Sequence, residues 1–141
     1  CHPGLSFEEM RQWVKARAGK WKEGTSYDFT MVDPKDGSYL GGCGINDIEL
    51  AHKTANLGYW VRTSQTRRGV ATAAARLLAR FGFDELKLNR IEIVVATGNK
   101  ASQRVAEKAG ATREGVLRNR LLISGKPSDA VMFSLIPSDM R

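Results

Sequence analysis

The stretch "TSQTRRGVATAAARLLARF", residues 63–81, predicts the helix around which the rest of the chain is organised. Apolar residues recur at helical spacing from Val70 to Phe81, so we expect a helix with one apolar stripe that begins near Arg68. Its first turn, Gly69–Thr72, has no long side chain, and the free N–H groups of a helix start attract anions. Two arginines beside this turn make it typical of a phosphate site. A surface loop with two solvated arginines explains the same residues equally well.

Alternating apolar residues predict strands on both sides of this helix, and Asn99 and Gly110 bound a further, shorter helix. In chain order we expect a helix at 7–22, strands at 27–33, 38–50 and 57–63, the central helix from about 68 to 86, a strand at 90–96, a helix at 98–111, and strands near 112–123 and 129–136. A strand–helix–strand crossover within a mixed sheet gives an α/β (α+β) fold with a ligand site at the crossover helix.

Length and composition are those of one globular domain. The chain has 141 residues, 42% hydrophobic and 26% charged, so we expect a single domain spanning 1–141. It has no apolar run near the ~20 residues that cross a bilayer, and no signal-peptide pattern. Two cysteines make no disulfide framework, and no Cys/His cluster suggests a metal site. We therefore expect a cytoplasmic protein without a metal and without a membrane partner.

The net charge of +7 attracts anionic partners, and it serves solubility equally well. The sequence lacks G-x-x-x-x-G-K-[ST], which excludes a Walker loop. It also lacks G-x-G-x-x-G, since "GGCGIND" lies within a predicted strand and opens no helix. Any nucleotide-like ligand must therefore be held by another motif.

The stretch "GNKASQRVAEKAGATREGVLR", residues 98–118, resembles the end of the core of GNAT acetyltransferases, particularly the ribosomal-protein N-terminal (alanine/serine) acetyltransferase branch. Asn99 and Ser102 stand at the family's N-x-x-S helix start. The segment "RRGVATAA" is similar to the family's acetyl-CoA loop, with Gly69 and Ala71 matching. The resemblance, which runs from about Tyr27 to Leu135, implies the GNAT acyltransferase fold: a mixed central sheet with a splayed strand pair flanked by helices. It also implies that the family's first strand and helix are absent.

The resemblance implies direct acetyl transfer from acetyl-CoA, as cosubstrate, to a primary amine, first of all the α-amine of a (ribosomal) protein N-terminus. A backbone N–H near Trp60–Val61 would bind the oxyanion, Ser102 would protonate the CoA thiolate, and Asn99 would hold the pantetheine arm or orient Ser102. The implied acetyl-CoA contacts are Trp60, Val61, Arg67, Arg68, Gly69, Val70, Ala71, Thr72, Asn99, Lys100 and Ser102. On their own, Asn99 and Ser102 are also ordinary helix-start residues.

Three positions depart from the family's pattern. Thr66 stands where the family usually has Gln or Arg. Ala106 stands where many members have a Tyr that acts as the acid and protonates the departing CoA thiolate. Leu121 stands where the branch often has a Glu base, so the base is open among Glu49, His52, Glu92, Glu114 and Asp129. Because an α-amine has a pKa near 8, roughly a tenth is neutral at pH 7, and a base is dispensable.

Other functions stay open. The acceptor could instead be a polyamine, an aminoglycoside or another small amine. The domain could bind acyl-CoA without chemistry, or it could be a basic domain that binds nucleic acid or the ribosome. Lys100, Arg104 and Lys108 either approach the CoA 3′-phosphate or form a solvated face. Ribosome association and a homodimer are left open by the resemblance.

Overall fold

The computed structural model describes residues 14–16, 26–33, 35–61 and 64–140, with the side chains of 14–16 and 64–68 outside that description. Its elements are strands β1 (Val14–Ala16), β2 (Tyr27–Val32), β3 (Tyr39–Glu49) and β4 (Thr54–Val61), helix α1 (Ser64–Asp84), strand β5 (Arg90–Ala96), helix α2 (Lys100–Lys108), strands β6 (Thr112–Ile123) and β7 (Lys126–Leu135), and a 3-10 helix (Pro137–Met140). The strands form one seven-stranded sheet in the order β1-β2-β3-β4-β5-β7-β6.

The parallel pair β4 and β5 divides the sheet. All other neighbouring strands run antiparallel, whereas these two are joined by the crossover helix α1. Their pairing covers Thr54–Asn56 and Arg90–Glu92 and extends no further, although β4 continues to Val61 and β5 to Ala96. The two strands therefore diverge and leave a V-shaped gap, which confirms the predicted splayed pair.

One core holds both helices against the sheet. Alternate side chains of β5, Ile91, Ile93 and Val95, are buried, as is Leu57 of β4. They join one cluster with the small inner stripe of α1 and with Ala106 of α2. Because α1 also contacts α2, the two helices lie together on one face of the sheet. Small side chains let α1 lie close over the strands that diverge.

The sequence predictions hold for most elements, with bounds that differ from the observed ones by up to about three residues, as at β4 (predicted 57–63, observed Thr54–Val61), and they are wrong in two places. The predicted helix at 7–22 is wrong at Val14–Ala16, which form a strand paired with β2, and its other residues lie outside the described residues. Pairing to an existing strand has overridden the local helical pattern there. The helix α1 begins at Ser64, four residues before the predicted start at Arg68. Residues 64–68 contain no Gly or Pro that would prevent an earlier start.

Candidate active site

The first arm of the gap is the unpaired half of β4. Trp60 is 54% exposed and packs edge-on against Tyr39 of β3, with ring centroids 5.7 Å apart. Val61, the last residue of the strand, is half-buried. Beyond Asn56 this strand has β3 as its neighbour but no pairing to β5 among the described residues. Backbone groups on its β5 side are therefore available to a ligand in the gap.

The second arm leads from β5 into the start of α2. Asn99 caps the helix, because its side-chain oxygen accepts the N–H of Ser102 at 3.1 Å, which confirms the predicted cap. The side chain of Ser102 is within hydrogen-bonding reach of the Tyr59 hydroxyl on β4, whose pKa it lowers. Lys100 is exposed at the first helical position. The α2 start thus presents a serine hydroxyl beside the gap.

A buried and a half-buried side chain fix the first turn of α2 in place. The Gln103 amide donates to the carbonyls of Ala96 and Thr97, at 3.2 and 2.9 Å, at the end of β5. From the other arm, the Tyr59 hydroxyl donates to the backbone carbonyl of Ser102 at 2.9 Å. Neither residue is predicted as a site residue from the sequence. The alternation of β4 places Tyr59 on the same face as buried Leu57, but no local pattern indicates a bond across 43 residues.

The Tyr59 hydroxyl remains a hydrogen-bond donor across the physiological range. Burial raises its pKa to about 12, and a side-chain hydrogen bond with Ser102, which lowers the pKa, offsets only part of that effect. The bond between the two arms therefore does not titrate near neutral pH.

The start of α1 differs from the prediction. The free N–H groups of a helix belong to its first four residues. Because α1 starts at Ser64, these groups belong to 64–67, and the predicted free groups at Gly69–Thr72 are wrong. Gly69 and Val70 are half-buried, whereas Ala71 and Thr72 are 1% and 0% exposed. The side chains of Arg67 and Arg68 lie outside the described residues.

A cavity of about 240 Å³ lies over β2, β3 and β4, beside the unpaired half of β4. Its floor consists of glycines on neighbouring strands, since Gly44 pairs with Gly58 and Gly42 pairs with Trp60. A Cβ added to Gly58 would meet no atom within 4 Å, so the space above this glycine is open. The residues that line the cavity are Asp28, Phe29, Gly42, Cys43, Gly44, Asn46, Gly58, Tyr59 and Trp60.

Cys43 is the buried free cysteine of this cavity lining. Burial, together with the charge of Asp28, raises the pKa of its thiol to about 12. The thiolate, the reactive form of cysteine, is therefore strongly disfavoured. This environment does not suit a covalent acyl-cysteine intermediate.

The five candidate bases lie at different ends of the gap. Glu49 pairs with the first residue of β4, and the His52 carbonyl accepts the side-chain amide of Asn89, just before β5, at 2.6 Å. Both residues lie where the two strands are still paired.

Glu92 and Glu114 are bound to the same arginine. Arg90 contacts Glu92 at 2.9 Å and Glu114 at 2.7 Å, and Ser134 donates to Glu114 at 2.8 Å. Glu92 lies on β5 itself, whereas Glu114 of β6 links the start of β5 to β6 and, through Ser134, to β7. Of the five candidates, Asp129 alone lies at the open end, where its carbonyl accepts the N–H of Thr97 at 3.1 Å.

The cationic residues on α2 are solvated. Lys100, Arg104 and Lys108 are all exposed, which fits either role that the sequence left open. In the part of the chain that the structure describes, no three His, Cys, Asp or Glu residues are grouped as metal ligands would be. Across the same ranges, no helix combines the length and apolar character needed to cross a bilayer.

Comparison with known proteins identifies the family to which this chain belongs. The sequence model of the "Acetyltransferase (GNAT) domain" family matches residues 3–112. The "Putative ribosomal N-acetyltransferase YdaF" of Bacillus subtilis is 37% identical over 101 residues, which are 72% of this chain and 55% of that protein. The chain thus spans about half the length of this relative. The chain belongs to the GNAT acetyltransferase family.

Two further proteins show the range of relatives. A solved structure described as "a putative ribosomal-protein-serine acetyltransferase from Vibrio cholerae" has a TM-score of 0.76 and 28% identity, and the match covers 94% of this chain and 91% of that one. The spermidine N(1)-acetyltransferase of Escherichia coli is 27% identical over 100 residues, 71% of this chain and 54% of that protein. Proteins similar to this chain therefore include some named for a protein acceptor and some named for a polyamine acceptor.

Proposed function

We propose that this chain is an N-acetyltransferase that moves an acetyl group from acetyl-CoA to a primary amine, first of all the α-amine of a protein N-terminus. One observation carries the proposal: the backbone of Trp60–Val61 and the hydroxyl of Ser102 lie on the two arms of one gap. A thioester lying between these arms could meet an N–H donor on one side and a proton donor on the other. The ribosomal names among the relatives support a ribosomal protein as the acceptor.

The proposed reaction needs no covalent enzyme intermediate. The neutral amine nitrogen attacks the thioester carbonyl carbon, a C–N bond forms, and the carbonyl oxygen becomes an oxyanion. A backbone N–H at Trp60–Val61 would stabilise that oxyanion. The C–S bond then breaks, and the thiolate takes a proton from Ser102, directly or through water, which Ser102 regains from solvent. The amine nitrogen releases its extra proton to solvent or a base. Asn99 orients Ser102 or holds the pantetheine arm. The neutral thiol of Cys43 agrees with direct transfer.

The start of α1 is the proposed site of the pyrophosphate. The free N–H groups of a helix start favour an anion, and α1 starts within three residues of the end of β4. Arg67 and Arg68 would add positive charge, and Gly69, in the following turn, would leave space beside them. With Trp60 to Val61 and Lys100, these residues form the proposed acetyl-CoA site, and no metal is part of it.

The cavity beside β4 is the proposed entrance for the amine. Its volume of about 240 Å³ is below the roughly 300–1,000 Å³ of pockets that enclose drug-sized ligands. That size suits a chain end or a slender amine better than an aminoglycoside. A polyamine is the second candidate acceptor, because the carboxylate of Asp28 lines the cavity and a spermidine acetyltransferase is among the relatives. If the acceptor is a ribosomal protein, we propose that this protein is cytoplasmic and associates with the ribosome. A homodimer is compatible with either acceptor.

Thermal unfolding with acetyl-CoA, CoA and ATP tests the cosubstrate site. At a hundredfold excess over Kd, acetyl-CoA and CoA should each stabilise the protein by about 2.7 kcal/mol, whereas ATP should not. The variant Gly69→Asp should lose this stabilisation, because it places a negative charge beside the phosphates. Thr112→Asp, at an exposed position on β6, is the matched control and should keep it. If acetyl-CoA shifts neither the wild type nor the control, the proposal is wrong.

Release of the CoA thiol then tests the chemistry and the acceptor. We expect faster release of CoA with a peptide that has a free N-terminus than with the same peptide blocked by acetylation. Spermidine is tested in parallel as the alternative acceptor. Ser102→Ala should keep acetyl-CoA binding and lose most of the release. Binding without release for every amine would favour a non-catalytic acyl-CoA module. Salt-sensitive RNA binding without any acetyl-CoA effect would favour the nucleic-acid reading.

A further inference from the structure

The first turn of α2 spans the two arms of the gap. On the β5 arm it is held by the buried Gln103 amide and by the N–H of Asn99, which donates to Ala96 at 2.9 Å. On the β4 arm it is held by the Tyr59 hydroxyl, which donates to the carbonyl of Ser102. Because β4 and β5 do not pair at this level, these bonds set how far apart the two arms lie.

The Tyr59 bond reaches the residue whose position matters most for the proposed reaction. A helix carbonyl has two lone pairs, so the carbonyl of Ser102 can accept the Tyr59 hydroxyl in addition to its partner within the helix. The bond fixes the main chain of Ser102 relative to β4, and the hydroxyl of Ser102 is attached to that main chain. Tyr59 lies next to Trp60, in the segment that faces the thioester carbonyl in the proposed reaction.

We infer that Tyr59 is a positioning residue, which holds the Ser102 hydroxyl at a fixed distance from the oxyanion-binding segment of β4. This inference rests on the proposed function. Tyr59 comes from the opposite arm and acts through Ser102. Its hydroxyl donates to the carbonyl of Ser102, and its role in this inference is to position that residue.

The direct test is Tyr59→Phe, which removes the hydroxyl and keeps the ring. The net strength of one hydrogen bond corresponds to a roughly threefold to tenfold change in rate, and we expect a fall in kcat of that size. The KM for acetyl-CoA should change much less, because the phosphate contacts are at the start of α1. A purely structural tyrosine would lower the melting temperature and leave the kcat of the folded protein unchanged, and that result would overturn the inference.

A double-variant cycle asks whether Tyr59 acts through Ser102. Ser102→Ala removes the side chain that Tyr59 positions but keeps the carbonyl that Tyr59 contacts. The double variant should therefore be no slower than Ser102→Ala alone. If the two losses multiply, Tyr59 acts independently of Ser102 and the inference is wrong.

Tyr27→Phe is the matched control. Tyr27 lies on β2, two strands from the gap, and its ring packs against Phe81 of α1. This control should keep the wild-type kcat. Failure of the proposed function would appear differently, as a wild-type protein that releases no CoA with any amine. A wild type that acetylates an amine, with Tyr59→Phe equally fast, would refute the positioning role alone.

Discussion

The substitution Gly41→Ala should push the end of β4 out of place. Gly41 lies on β3 opposite Val61, the last residue of β4. A Cβ at this position would overlap the backbone carbonyl oxygen of Trp60, and it would lie 3.0 Å from the Cα of Val61 and 3.1 Å from the terminal methyl of Met31. Two of these three atoms belong to backbone, so they cannot rotate away.

The size of the displacement follows from these contacts. Ordinary carbon–carbon contacts lie at about 3.5–4.0 Å, so the Cα of Val61 must move by about 0.5–1 Å. Overpacking of this kind costs about 1–3 kcal/mol of unfolding free energy. A misplacement near 1 Å can lower an enzymatic rate by about a hundredfold. We therefore expect Gly41→Ala to lose stability by about that amount and to lose most of its kcat, because Trp60–Val61 is the proposed oxyanion segment.

Urea unfolding and steady-state kinetics check the two parts separately. Gly58→Ala is the stability control: it makes the same change on the neighbouring strand, where an added Cβ meets nothing within 4 Å. It should be as stable as the wild type or slightly more stable, because glycine is unfavourable within a strand. Equal stability of Gly41→Ala and wild type would refute the close approach of β3 to β4. Lost stability with an unchanged kcat of the folded protein would refute the role of this segment in the chemistry.

Three further predictions concern the ion pair, the core and the acceptor. Arg90, and then Ser134, hold the pKa of Glu114 at about 2, below its usual 4.5, so the stability from this group is present above pH 4.5 and is lost as the pH falls towards 2. Glu114→Gln should lower the unfolding free energy by about 0.2–1 kcal/mol at neutral pH, since the pair is partly solvated. In urea unfolding near pH 2 this difference from wild type should shrink, and a difference that stays constant with pH would contradict the prediction. Phe133 is 0% exposed, so Phe133→Ala should lower the unfolding free energy by about 3–5 kcal/mol, and a loss below 1 kcal/mol would show that the site is not closely packed. With a peptide acceptor, kcat/KM should rise with pH towards the α-amine pKa near 8, and Asp129→Asn should leave that profile unchanged if no base is needed; a lower profile would identify Asp129 as a base.

Local patterns predicted the parts of the fold that local physics determines. The strand at 90–96 was predicted with its observed bounds. Its apolar residues Ile91, Ile93 and Val95 alternate along the sequence, and the structure buries these three and leaves the residues between them half-buried. The α2 cap followed from Asn99, whose side chain bonds to the backbone three residues later. Residues 14–16 were predicted wrongly because their strand exists through pairing with β2, which a helical pattern cannot reveal.

The candidate site was predictable only in part. The motif around Asn99 and Ser102 indicated one arm of the gap, and the family resemblance predicted that the two central strands diverge. Tyr59 and Gln103 were missed because their bonds depend on tertiary packing. The start of α1 was missed because the sequence there permits several helix boundaries, and neither a Pro nor a Gly between 64 and 68 selects one.

The short contact between β4 and β5 also has a consequence for how the protein opens and refolds. Within the described residues, strand pairing between the half that contains β1 to β4 and the half that contains β5 to β7 involves three residues on each of β4 and β5. Each half is built mainly from neighbouring antiparallel strands, so each can gain structure before the seam between them closes. Amide hydrogens at 54–56 and 90–92 should therefore exchange with solvent through openings of lower energy than those at the centre of either half. The feature that leaves room for a ligand thus also divides the sheet into two cooperative units, with α1 packed across both.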